Sequence, residues 1–110
     1  MTSPIPRRLL IHSAVLRQMD SDRWQNETEK QSIALTNVRV EPSSKIVIGK
    51  DNVERQLSAV LFFDCRSSQP KNTVFTEGQR ITFSKNDYRI VSIEPLYDDG
   101  RLHHYEVGLC

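Results

Sequence analysis

The residues best equipped for chemistry in this 110-residue chain lie near its C-terminus, where His103 and His104 are adjacent and closely follow Asp98 and Asp99. Imidazoles beside carboxylates are the groups that hold zinc or relay protons in hydrolysis. Their spacing argues against both uses. Neighbours on a regular strand point to opposite faces, so His103 and His104 are not expected to meet at one ion. Zinc takes about four ligands, and only His12 and two distant thiols, Cys65 and Cys110, remain to complete a set. Asp98-Asp99-Gly100 has the residue types of a tight hairpin turn and none of the spacing of a calcium-binding EF-hand.

A nucleophile is equally hard to place. Neither cysteine stands in a catalytic context, and no Gly-x-Ser-x-Gly elbow occurs. Ser43-Ser44-Lys45 lacks the Ser-x-x-Lys spacing that would put the amine and the hydroxyl to joint use. Gly49, Gly78, Gly100 and Gly108 are isolated, so no glycine loop cradles a phosphate. These residues lead to the expectation of a protein that is not an enzyme, with no cofactor, no metal and no small-molecule substrate.

Lys and Arg number 15 against 14 Asp and Glu, a net charge of +1, which excludes a nucleic-acid binder held by net charge alone. Arginine outnumbers lysine two to one, and its planar fork suits phosphate oxygens, so a single-stranded nucleic-acid-binding β-barrel stands as the alternative function. Such a barrel would interleave aromatic and basic residues on one face. Phe62, Phe63, Phe83 and Tyr105 instead sit in apolar alternation, as core residues do. No stretch approaches the ~20 apolar residues that span a bilayer. The apolar run after Arg7 and Arg8 ends at Ile11, too short for a signal peptide, so a soluble protein made in the cytosol, with no membrane association, is expected.

Positioning falls to strands. Residues 9–16 are apolar on both alternating faces. Ile33 and Leu35 keep period two, and the register resumes one residue late at Val38 and Val40, which predicts a bulge or a bend near Thr36-Asn37. Leu57, Ala59, Leu61 and Phe63 form the cleanest alternation; a helix over 53–64 is compatible with its propensities, but the Val60–Phe63 run favours strand. Strands follow at Arg80–Phe83 and Tyr88–Ile93, with a turn at Lys85-Asn86-Asp87 and Pro95 stopping the second or putting it at an edge. Tyr105, Val107 and Leu109 alternate on the last strand. The expected architecture is a single all-β domain over 1–110, an antiparallel barrel or sandwich of six or seven strands with long projecting loops.

Three segments fall outside that frame: an extended N-terminal arm, 1–8, carrying Arg7 and Arg8, and two long loops, 18–30 and 41–52. Trp24, alone in the first loop, suits either an interface anchor or a cap on the barrel end. The second loop encloses an apolar triplet, Ile46, Val47 and Ile48, between Lys45 and Lys50. The triplet can pack on a partner or fold back on its own barrel as one more short strand.

Four blocks of sequence resemble the minor capsid proteins of tailed phages and prophages of Gram-positive bacteria. They are Ile5-Pro6-Arg7-Arg8-Leu9-Leu10-Ile11-His12-Ser13-Ala14, Asn37-Val38-Arg39-Val40-Glu41-Pro42-Ser43-Ser44-Lys45, Gln56 through Ser68, and Ile93-Glu94-Pro95-Leu96-Tyr97 with Leu102-His103-His104-Tyr105-Glu106. They span nearly the whole chain in the family's order, and 18–30 fits least. The resemblance implies a virion structural protein, assembled in the bacterial host cytoplasm, and a head-to-tail connector similar to the stopper proteins. It further implies a homo-oligomeric ring at the portal vertex, contacts with portal, adaptor and tail proteins, and passing proximity to packaged double-stranded DNA. It carries no catalytic residue over to this chain. On this reading the 41–52 loop faces the lumen or a neighbouring ring, with Lys45 and Lys50 near DNA.

Overall fold

The computed structural model describes residues 7–21 and 27–110. Eight strands, β1 (His12–Ser21), β2 (Glu27–Pro42), β3 (Ile46–Ile48), β4 (Glu54–Gln56), β5 (Ala59–Asp64), β6 (Arg80–Phe83), β7 (Asn86–Asp98) and β8 (Arg101–Leu109), follow a 3-10 turn at Arg7–Leu9. Six close into a barrel in the order β1-β2-β5-β8-β7-β6, and β3 pairs only with β4. All the pairings are antiparallel. The choice between barrel and sandwich is made by β6, whose Thr82 and Ile81 pair with Val15 and Leu16 of β1 and return the sheet to its first strand. Closure leaves the barrel no open edge.

Alternation aims one residue in two at the axis. Leu16, Leu35, Leu61, Ile81, Ile90 and Val107, one from each barrel strand, are at most 1% exposed and pack together. At about 25 cal/mol per Å² of apolar surface removed from water, this cluster is the main favourable term holding the sheet closed.

The phase slip in β2 is a bulge. His12 pairs with Val38 and Ala14 with Leu35, so β2 spends one residue more than β1 over the same length. Asn37 adopts φ 54°, a left-handed conformation that Asn tolerates. Without the extra residue, Val38 and Val40 would face outward. The backbone groups freed by the bulge find partners in the turn after β5: Thr36 and Gln69 exchange N–H···O bonds of 2.9 and 3.1 Å, and the Ser68 hydroxyl donates to the Asn37 carbonyl.

Three expectations are corrected. Segment 18–30 is largely strand: β1 runs on to Ser21 and β2 begins at Glu27, forming a two-stranded ribbon past the last barrel pairings of β1. Glu27-Thr28-Glu29-Lys30-Gln31-Ser32 contains no apolar residue, so alternation had no strand signal to offer. The 41–52 segment holds the end of β2 and all of β3; residues 53–64 are strand, as their alternation favours, in two pieces broken at Leu57-Ser58. The 1–8 arm ends in a 3-10 turn that takes in Arg7 and Arg8, not in extended chain. Trp24 and residues 1–6 lie outside the described residues.

The β6–β7 turn sits at Ser84-Lys85, both at positive φ, one residue earlier than expected. Strand β7 continues through Pro95, where β6 has already ended and only β8 is paired, so the missing N–H breaks no ladder. Asp99 (φ 50°) and Gly100 (φ 78°) make the two-residue turn that Asp98-Asp99-Gly100 predicted.

Candidate functional site

The β3–β4 hairpin gathers most of the singled-out side chains. Its cross-strand pairs are Ile46↔Gln56, Val47↔Arg55 and Ile48↔Glu54. Directly opposed residues share a face, so Ile46, Ile48, Glu54 and Gln56 form one side and Val47 and Arg55 the other. The first set is exposed and the second half-buried. Ile46 and Ile48 are each 62% exposed.

The hairpin is fixed to the outside of the barrel over β7 and β8. Inward-facing Val107 and Leu109 put Gly108 on the outer surface, and buried Leu57 lies across it. A Cβ at Gly108 would stand 2.9 Å from Leu57 Cδ2 and overlap Ser92 Oγ, so only glycine admits this packing. At the far end Gly49 passes equally close: its Cβ would lie 2.9 Å from Glu77 Oε1 and 3.1 Å from the Val91 carbonyl. Backbone bonds tie the base, with Leu57 N–H donating to Lys45 O (2.8 Å) and Ser58 N–H to Leu109 O (2.8 Å).

Its tip is closed by a fork. Arg55 Nη1 and Nη2 donate to Asp51 Oδ1 (3.1 Å) and Oδ2 (2.8 Å), and Val53 N–H donates to Oδ1 (3.1 Å). These bonds, Arg55 foremost, hold the Asp51 carboxyl down to about 2. Bidentate Arg–carboxylate geometry stiffens the turn more than a single contact would.

The lysines flanking the triplet are exposed: Lys45 Nζ lies 3.9 Å from Glu94 Oε2, and the backbone N–H of Lys50 donates to Glu77 Oε1 at 3.2 Å. Lys45, Ile46, Val47, Ile48 and Lys50 therefore share one element. Exposed Arg8 does not join them; its neighbour Leu9 lies against β2, where Arg39 Nη1 donates to the Leu9 carbonyl at 3.2 Å.

The histidine pair departs from expectation. Leu96 pairs with His104 and Tyr97 with Leu102, so the register slips by one residue at His103, a bulge in β8. The bulge breaks the alternation and brings His103 Nδ1 to 2.7 Å from His104 Nδ1. His12 is occupied structurally: its Nδ1 accepts from Val40 N–H at 3.0 Å and its ring packs edge-on to Phe83. Among the described residues no three His, Cys, Asp or Glu side chains come together to hold a metal ion.

One feature had no sequence signal. A cavity of about 410 Å³ opens between β5, β8 and residues 72–74, lined by Phe63, Cys65, Thr73, Val74, Leu102 and Tyr105. Its walls come from three distant segments, which no local pattern relates. Cys65 is half-buried at this wall, and burial together with the Asp64 carboxylate pushes its thiol up, away from the reactive thiolate.

A family model described as minor capsid protein matches residues 6–109. A search of curated proteins found no match to the chain.

Proposed function

This chain belongs to the minor capsid protein family, and from that premise we propose that it is a non-enzymatic, stopper-like connector subunit that assembles as a ring at the portal vertex. Membership gives a structural role as a virion component among other phage proteins. The finer reading adds a position between head and tail, assembly in the host cytoplasm, contact with portal, adaptor and tail proteins, and retention of packaged double-stranded DNA.

The observation that carries it is the hairpin. A joining subunit needs a rigid body and an equally rigid projection whose apolar groups stay uncovered until a partner arrives. The closed barrel is such a body, and β3–β4 is fastened to it at both ends yet keeps Ile46 and Ile48 turned to solvent. Exposed large aliphatics held side by side on a strand mark an interaction surface more readily than scattered ones. Lys45, partly offset by Glu94, and exposed Lys50 on the same element suit a surface that lets DNA slide past without gripping it.

The test is complementation of a deletion with Ile46→Ser/Ile48→Ser. Mass spectrometry should find the wild-type protein in purified particles, and the variant should yield filled heads that fail to join tails and lose DNA. Absence of the chain from particles, or full infectivity of a correctly folded variant, overturns the reading. Salt-dependent binding of a single-stranded oligonucleotide by the free protein would instead favour the nucleic-acid-binding barrel.

A further inference from the structure

We infer that copies of this chain associate head to tail, the outward face of the β3–β4 hairpin in one copy meeting the Arg8–Ile11 segment of the next. The inference rests on the reading of the chain as an assembling virion subunit.

The barrel order sets the geometry. The hairpin lies outside β7 and β8, through Leu57 on Gly108 and Gly49 at Val91. The other segment lies at β1 and β2: it leads directly into β1, and its Leu9 carbonyl is held by Arg39 of β2. In the order β1-β2-β5-β8-β7-β6, one strand separates β2 from β8 and one separates β7 from β1. The two features therefore occupy opposite walls of the barrel.

Both carry large aliphatic groups in solvent. Ile46 and Ile48 are each 62% exposed, Ile11 66% and Leu9 38%. Each also presents a charge beside its apolar pair, the hairpin on an outer face whose two ends are flanked by Lys45 and Lys50. Glu54, cross-strand from Ile48, is the charged residue of the hairpin's outer face, and exposed Arg8 precedes Leu9. A two-fold contact with its axis at the charged end of either patch would set Glu54 against Glu54 or Arg8 against Arg8. Pairing one patch with the other sets Arg8 against Glu54 and aliphatic against aliphatic, which is the complementarity that selects a partner and excludes the wrong one. Because the patches differ and stand on opposite walls, the contact is heterologous; it repeats from copy to copy and makes a ring when the rotation closes.

The test uses particles and concentrated protein carrying Ile11→Cys and Ile48→Cys in a Cys65→Ala/Cys110→Ser background. Mild oxidation should give a ladder of dimers, trimers and higher species from the chain bearing both cysteines, and only monomer from either single. Dimers from a single-cysteine chain, or no ladder in either preparation, overturn the inference. A second measurement keeps the native cysteines: Arg8→Glu and Glu54→Arg should each lower self-association in sedimentation at least several-fold, and the double swap should restore it. Unaltered association in the single swaps also overturns it. If the chain is present in particles but no ladder forms, only the interface is wrong; if it is absent from particles, the functional reading fails first.

Discussion

His103 Nδ1 lies 2.7 Å from His104 Nδ1, a contact between neighbours on one strand that the bulge at His103 alone permits. On the other side of the ring, His104 Nε2 faces Glu106 Oε2 at 3.2 Å. An ionised carboxylate only accepts, so the tautomer that satisfies both contacts puts the His104 proton on Nε2 and leaves its Nδ1 to accept from His103 Nδ1–H.

This arrangement predicts a coupling between the two rings. His103→Ala and His104→Ala in a double-mutant cycle should show a favourable interaction of about 1 kcal/mol. Denaturant unfolding of the four proteins measures it, and nitrogen NMR should find neutral His104 in the Nε2–H tautomer.

Gly108→Ala should loosen the hairpin from the barrel. The added methyl cannot coexist with Ser92 Oγ and Leu57 where they now stand. Overpacking of this kind costs about 1–3 kcal/mol, read as a lower denaturation midpoint. Local opening should appear as faster hydrogen exchange at Leu57 N–H, which closes the hairpin base onto Lys45 O. Unchanged exchange at Leu57 would mean that the hairpin is held elsewhere.

Alternation made the barrel legible. Ala59 to Phe63, Ile81 and Phe83, and Tyr105 to Leu109 each put one face in the core, and the one-residue slip at Thr36-Asn37 gave away the bulge. The ribbon of β1 and β2 was not legible, because Glu27 through Ser32 are all polar and leave no apolar period to read. The histidine contact was missed for the opposite reason: the face rule that separated His103 from His104 holds only where the ladder is regular. The site was half visible. An apolar triplet in a polar segment marked Ile46, Val47 and Ile48, but nothing local told that Gly108, sixty residues onward, would be the seat for Leu57.

Ser68→Ala should destabilise out of proportion to the atom it removes. The hydroxyl is fully buried, accepts from Asp64 N–H at 2.9 Å and donates to the carbonyl of Asn37, the bulge residue of β2. Alanine strands a buried donor and a buried acceptor at once, a loss of about 1–3 kcal/mol. Cooperative unfolding at a lower temperature is the expected result. Thr at the same position keeps the hydroxyl and should recover part of the loss if its extra methyl fits.

Acid should undo the hairpin tip before the barrel. Asp51 stands at about 2 in the folded chain against an ordinary 3.8, chiefly because Arg55 grips both its oxygens. A carboxyl whose folded value is depressed contributes stability above the unfolded value, and that contribution is lost as pH falls from 3.8 to about 2. The tip is therefore fully braced at neutral pH and unbraced below about 2, while the barrel's apolar core does not titrate. Carboxyl-carbon NMR should place the Asp51 midpoint near 2 in the wild type. In Arg55→Met it should move back toward 3.8 without reaching it, since Val53 N–H still donates to Oδ1. The same variant should leave the melting temperature nearly unchanged, because the fork is solvent-exposed and screened, but raise the mobility of Ile48 on the nanosecond scale. A midpoint that stays near 2 without Arg55 would show that the turn backbone, and not the guanidinium, sets the stiffness of the projecting face.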